Sequence, residues 1–228
     1  MINLYFWPTP NGKKVSILLS ELNLNYNLIS ININKGDQFK KSFLKISPNN
    51  KIPALEIIEG KNTTTLFESG SIMLFLADKY KKFISNDQIK KHETIQWLMW
   101  QMAGFGPMLG QAHHFNFYAK DKIDYAVNRY SMEAKRLYNV LDKRLTNKDW
   151  VMDEYSIVDM AIYPWTITTD RQGIKIEEFP NVLKWKNTMK ERPAVKIGMH
   201  VGKELKKQSK FDENSRENLF GANQYKKR

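Results

Sequence analysis

Residues 2–7, INLYFW, alternate Ile2, Leu4 and Phe6 against Asn3, Tyr5 and Trp7, the two-residue period of a β-strand. After a Pro-Thr-Pro-Asn-Gly turn, Val15, Leu18, Leu19 and Leu22 recur at helical spacing. Ile29, Ile31 and Ile33 in LISININ restore the strand period, so this opening stretch predicts a β-α-β unit. A polar connection through Gly36 and Gln38 leads to a short helix over 39–46, ended by SPNN. Residues 54–58 (ALEII) and 63–67 (TTTLF) predict a hairpin about Glu59-Gly60-Lys61-Asn62. Ser69 is then placed to cap a helix carrying Ile72, Met73, Leu76, Ala77 and Tyr80.

Beyond Lys81 the strand signals stop. KKFISNDQIKKH reads as a polar linker, and the period is helical from there to near residue 200. Ala126, Tyr130, Ala134, Leu137, Leu141 and Leu145 form one apolar stripe. YSIVDMA carries a helix-start signature: Ser156 as cap, Asp159 three residues on, and Tyr155 with Met160 as a staple. The predicted organisation is an α/β domain over 1–81, a linker over 82–86, an all-helical bundle over 87–202 and a basic tail over 203–228. The tail is too charged and aperiodic to build a core and is expected to be solvated or mobile, with Leu219 and Phe220 as its docking candidates.

Composition narrows the class. With 228 residues and 42% apolar content the chain is globular. No apolar run approaches the roughly 20 residues that span a bilayer, and the N-terminal stretch lacks a basic region followed by an apolar block and a cleavage site. The expectation is a soluble, cytoplasmic protein without a membrane partner. A formal charge of +12 invites a nucleic-acid reading, yet the lysines are scattered and no Arg-rich stripe interleaves with aromatics. No nucleic-acid partner is expected, and the charge is read as an attraction for anionic small molecules.

The order β-α-β-α-β-β-α is that of a thioredoxin-like domain, which carries a reactive Cys-x-x-Cys where this chain has FWPTPNGKK. There is no cysteine anywhere, which excludes disulfides, thiolate metal sites and a protein thiol nucleophile. Two other stretches carry candidate chemistry. In SPNNKIPAL, a proline entering a strand at Ile52-Pro53 is either a cis bond that presents the preceding backbone as a free pairing edge or a trans proline that merely starts the strand. In LFESGSI, the Ser69 hydroxyl and the first helical amides stand where they can hold a carboxylate, and Glu68 beside them can hold an ammonium. That pair would clamp an amino-acid head bearing both charges, while serving equally as an ordinary helix start.

WPTPNGKK, KGDQF, ISPNNKIPAL, LFESGSIMLFLA, TIQWLMWQMAGFGPMLGQAHHFNFYA, RYSMEAKRLYNVLDKRL and YSIVDMAIYPW together resemble the glutathione transferase family, almost continuously from residue 2 to about 195. The resemblance is to its bacterial Nu class, glutathione-dependent disulfide-bond oxidoreductases. It implies that Glu68 and Ser69 hold the γ-glutamyl head of glutathione, that the Ile52 backbone ahead of Pro53 pairs with the cysteinyl residue, and that Gln38, with Lys51 nearby, faces the glycyl carboxylate. It also implies that Thr9 and Asn11 lie beside the sulfur as hydrogen-bond donors and that Arg129 reaches a second glutathionyl group. Glutathione would be the bound co-substrate, without a metal, in a homodimer. The alternatives are a conjugating or peroxide-reducing glutathione transferase and a non-catalytic binding protein on the same fold.

Other residues admit blander readings. Tyr5 resembles the near-terminal tyrosine that other classes place on the sulfur, but its place inside the strand predicts a packed residue. His113 and His114 are adjacent on a helix and diverge by about 100°, which makes a shared metal ion difficult. Trp97 and Trp100 are expected in a core or interface. The Gly104, Gly106 and Gly110 series around Pro107 lacks a phosphate-loop context and predicts a helix kink. Trp7, bulky before PTPN, is expected to narrow the pocket mouth.

Overall fold

The structure is a computed structural model that describes residues 1–207 and 211–226. It resolves into two compact units: Met1–Leu76 together with the described residues from Ile197 onward, and Ala77–Lys196.

The described residues of the first unit build a four-stranded sheet. Strand β1 (Ile2–Phe6) buries Ile2, Leu4 and Phe6, as its alternation predicts. It pairs in parallel with β2 (Asn27–Ser30) and antiparallel with β3 (Ala54–Glu59), which pairs antiparallel with β4 (Asn62–Phe67), giving the order β2-β1-β3-β4. Helix α1 (Pro10–Glu21) follows β1 and buries Val15, Leu18 and Leu19. This mixed sheet with its helices is the thioredoxin-like arrangement.

Three local expectations are corrected. The second strand stops at Ser30, and Ile33 lies in a 3-10 turn (Ile33–Lys35). The Asn32 side chain accepts from the Asn34 and Lys35 amides (3.1 and 3.3 Å), a local turn that ends the extended chain. The helix expected over 39–46 shrinks to α2 (Lys41–Leu44), because Asp37–Phe39 forms a 3-10 turn and Lys40 is extended. Ser69 does not precede its helix as a cap: α3 (Ser69–Tyr80) begins with it, and Glu68 makes the turn in the left-handed region with φ 67°. Tyr5 packs in the strand, its ring 5.9 Å from that of Phe43.

The segment expected as a solvated tail is folded. Beyond α9 (Pro193–His200) lie α10 (Lys203–Lys207), α11 (Glu213–Phe220) and a 3-10 turn (Ala222–Tyr225); residues 208–210 and 227–228 lie outside the described residues. The end of α9 is pressed onto α1. A Cβ at Gly198 would stand 2.5 Å from the Ile17 Cα, so only glycine allows this approach. Ser16 Oγ donates to the Gly198 carbonyl (2.8 Å), and Lys13 Nζ donates to the Met199 and Val201 carbonyls (2.6 and 2.5 Å). Helix α11 is fixed by polar residues: Ser215 and Asn218 are buried, and Asn218 Nδ2 donates to the Asn34 carbonyl (2.8 Å). Leu219 is only half-buried and Phe220 is exposed.

The second unit is helical. It contains α4 (Gln88–Trp100), α5 (Gly106–His113), α6 (Asp124–Arg144), α7 (Ile157–Ile162) and α8 (Pro180–Glu191). Ala134, Leu137, Leu141 and Leu145 of the predicted stripe are buried. The predicted capping box is formed: Asp159 accepts from the Ser156 amide (3.0 Å) and also from Val151 N and Trp185 Nε1 (both 2.9 Å). Burial lifts its carboxyl to about 6 while those hydrogen bonds pull against the shift. Gly104 lies in a wide π-helical turn, Gln101–Phe105, and Gly106 and Gly110 lie in α5, which that turn and a second one, His114–Tyr118, bracket. Trp97 meets Trp100 edge-on at 5.2 Å, and His113 stacks on Tyr118 at 5.0 Å. Among the described residues, no helix is long and apolar enough to cross a membrane.

Candidate functional site

The turn between β1 and α1 is fixed from within. The Thr9 amide donates to the Trp7 carbonyl (2.7 Å), and the Thr9 hydroxyl oxygen accepts from the Gly12 amide (3.3 Å) as the cap of α1. Gly12 is required here, because a Cβ would lie 2.4 Å from the Trp7 carbonyl oxygen. Capping uses a lone pair of Thr9 and leaves its hydroxyl proton to donate elsewhere. Trp7 itself is buried at 6% exposure; it packs inward and does not narrow a pocket mouth.

The second element is the loop before β3. Ser47 Oγ donates to the Lys51 carbonyl (2.8 Å), closing residues 47–51 into a turn, and Asn50 sits in the left-handed region with φ 54°. The Ile52–Pro53 bond is cis. Asn49 Nδ2 donates to Glu68 Oε1 (3.1 Å), joining this loop to the start of α3.

These pieces surround a cavity of about 290 Å³ lined by Asn11, Asn49, Lys51, Ile52, Pro53, Glu68 and Ser69. That volume lies at the small end of the range for ligand pockets, roughly 300–1,000 Å³. Its lining offers a carboxylate at Glu68, an ammonium at Lys51, side-chain amides at Asn11 and Asn49, and Ser69 with the first amides of a twelve-residue helix. A ligand suited to it carries an ammonium and at least one carboxylate.

Six of the residues singled out from the sequence thus meet at one place: Asn11, Lys51, Ile52, Pro53, Glu68 and Ser69. Thr9 is two residues away on the same cap but does not line the cavity. Gln38 does not line it either. Its side chain is 2% exposed, Nε2 donates weakly to the Asn218 carbonyl (3.4 Å), and Oε1 has no hydrogen-bond partner among the described residues. Arg129 belongs to the second unit, exposed on α6, where its charge helps hold Glu133 low after the stronger effect of Arg136.

Two residues escaped the sequence reading. Asn49, in a run of polar residues, gave no signal beyond its neighbourhood. Lys14 is 1% exposed, and burial pushes its ammonium down to about 7 against the upward pull of the Glu68 charge. A signal existed for it: two lysines at the fourth and fifth positions of α1 stand near the N-terminal end of a helix, where the macrodipole disfavours cations.

Residues 4–83 match the glutathione S-transferase N-terminal domain and residues 100–193 match the glutathione S-transferase C-terminal domain. The chain belongs to the glutathione S-transferase family. Among similar proteins is the disulfide-bond oxidoreductase YfcG of Escherichia coli K12, 48% identical over 198 residues that cover 85% of this chain and 92% of YfcG. A glutathione transferase from Pseudomonas putida, solved with one glutathione disulfide bound per subunit, aligns with TM-score 0.84 and 39% identity over 88% of this chain and 91% of that one. A family member from Pseudomonas fluorescens Pf-5, solved with two glutathione bound, aligns with TM-score 0.82 and 42% identity over 87% of this chain and 92% of that one.

Proposed function

We propose that this protein is a glutathione-dependent disulfide-bond reductase, acting in the cytoplasm as a homodimer, in which the reactive sulfur arrives with glutathione. The observation that carries the proposal is a single cavity presenting Glu68, Ser69, Lys51 and Asn11 in a chain without cysteine. Glutathione has one ammonium and two carboxylates. Glu68 would take the ammonium and Ser69 with the α3 amides the adjacent carboxylate, while Lys51 would take the glycyl carboxylate. The Ile52 backbone would pair with the cysteinyl residue. YfcG, a disulfide-bond oxidoreductase, and the neighbours holding glutathione or its disulfide support the same reading.

An ordinary thiol, with pKa near 8.5, is mostly protonated at neutral pH, whereas the thiolate is the nucleophile. Asn11 Nδ2 and the Thr9 hydroxyl would donate hydrogen bonds to the glutathione sulfur and favour its anion. The thiolate attacks one sulfur of the substrate disulfide. A new S–S bond forms to glutathione, the substrate S–S bond breaks, and the leaving thiolate takes a proton from solvent. A second glutathione thiolate then attacks the glutathionyl sulfur of that mixed disulfide, its S–S bond breaks, glutathione disulfide forms, and the remaining substrate thiolate leaves and takes a proton from solvent. Arg129 would contact that second glutathionyl group.

The test is the rate at which the purified protein reduces a small mixed disulfide with glutathione. Asn11→Ala together with Thr9→Ala is expected to lower kcat/KM by more than about tenfold, the loss of one or two transition-state hydrogen bonds. Unchanged turnover would remove the mechanism. Slower reaction with an aromatic halide and an organic hydroperoxide separates this activity from conjugating and peroxide-reducing ones.

A further inference from the structure

Lys51, on the cavity lining, is held by a residue far away in the chain. Its Nζ donates to Gln224 Oε1 at 2.7 Å, across 173 residues of sequence. Gln224 is itself anchored, because its Nε2 donates to the Asn218 carbonyl. Asn218 is buried at 5% exposure, gives its side-chain amide to the Asn34 carbonyl (2.8 Å) and accepts from Asn223 Nδ2 (2.9 Å). The same Asn218 carbonyl receives the Gln38 amide. A continuous run of hydrogen bonds therefore leads from the connection after β2, through α11 and the turn after it, to the cation on the cavity wall.

We infer that Gln224 is a positioning residue for the carboxylate-binding end of this cavity, and that the segment Asp212–Tyr225 belongs to the ligand site. This rests on reading the cavity as the glutathione site. A lysine side chain carries three donors on a flexible stem, and fixing it costs conformational entropy. Gln224 takes one donor with a neutral oxygen, which orients the ammonium without neutralising it and leaves two donors for an anion. A carboxylate at position 224 would orient Lys51 equally well but cancel its charge. Glutamine is thus the chemically informative choice. The same segment meets Gln38, which is buried, donates to the Asn218 carbonyl and does not line the cavity, so Lys51 is the cation this end of the cavity offers an anion.

The test is calorimetric, on the full chain, with two probes: glutathione, and glutathione whose glycyl carboxylate is converted to the amide. Gln224→Met is expected to weaken glutathione about three- to tenfold, the range of one hydrogen bond, and to leave the amide unchanged. Gln224→Glu is expected to weaken glutathione at least as much, again sparing the amide. Equal loss for both probes, no loss for either, or tighter glutathione binding by Gln224→Met would overturn the inference; the last result would make the segment a competitor for Lys51. Wild-type protein that binds neither probe would instead remove the glutathione reading of the cavity, and this inference with it. A wild type that binds while the variants fail to discriminate removes the inference alone.

Discussion

Lys13 and Lys14 are the fourth and fifth residues of α1, yet their fates differ. The Lys13 ammonium is satisfied by two backbone carbonyls from the end of α9 and the residue beyond it, with the Phe6 ring 5.5 Å away. Lys14 is almost fully buried, and desolvation lowers it from 10.5 to about 7 despite the Glu68 charge. The sign follows from proton linkage. Below pH 7 both folded and unfolded states hold the proton, and the fold bears the full cost of a buried cation. Between about 7 and 10.5 the unfolded chain binds more protons, so this contribution to stability rises with pH. Lys14→Met is therefore expected to be more stable than wild type at pH 6.5, with the gap between their urea midpoints closing toward pH 10. Parallel midpoint curves would mean that Lys14 keeps its ordinary affinity for protons. From the sequence Lys14 was only a cation near a turn, because burial depends on what folds over α1, which local pattern does not encode.

At the scale of elements, what periodicity reports is what periodicity built. β1, α1, the β3–β4 hairpin and the α6 stripe were all legible, since each buries apolar side chains at the spacing of its own geometry. β2 was read one turn too long because Ile31 and Ile33 kept the alternation while Asn32 bent the backbone. The segment beyond residue 203 was missed for the opposite reason: it docks through Asn218 and Gln224, side chains that hydropathy scores as solvent-seeking. Ile52-Pro53 and Glu68-Ser69 were legible because they sit at junctions between elements, and Asn11 and Lys51 through the family resemblance, whereas Asn49 and Lys14 became visible only in three dimensions. One close approach between elements is directly testable. Gly198→Ala puts a methyl group 2.5 Å from the Ile17 Cα, and moving backbone to relieve it is expected to cost about 1–3 kcal/mol, read as a lower urea midpoint with unchanged slope.

For the whole molecule, the charge of +12 sets a field that favours anions over a Debye length of about 10 Å at 0.1 M salt. Lys51 is exposed at the cavity wall, so the anion contact proposed for it is open to screening. Raising salt from 0.05 to 0.5 M is expected to weaken glutathione binding about two- to fivefold by calorimetry, and to act less on the glycyl amide. A second consequence lies in the connectivity of the first unit. Its sheet is encoded before residue 77, while the residues that clasp α1 and hold Lys51 are encoded after residue 196. A ribosome delivers the chain in that order, so the sheet has all its strands long before the wall of the cavity has its last supports. Until residues beyond 196 are made, Lys51 lacks Gln224 and Gln38 lacks the Asn218 carbonyl. The supports of the cavity wall are thus encoded after all four described strands, and a premature stop near residue 200 would spare those strands while taking Gln224 from Lys51.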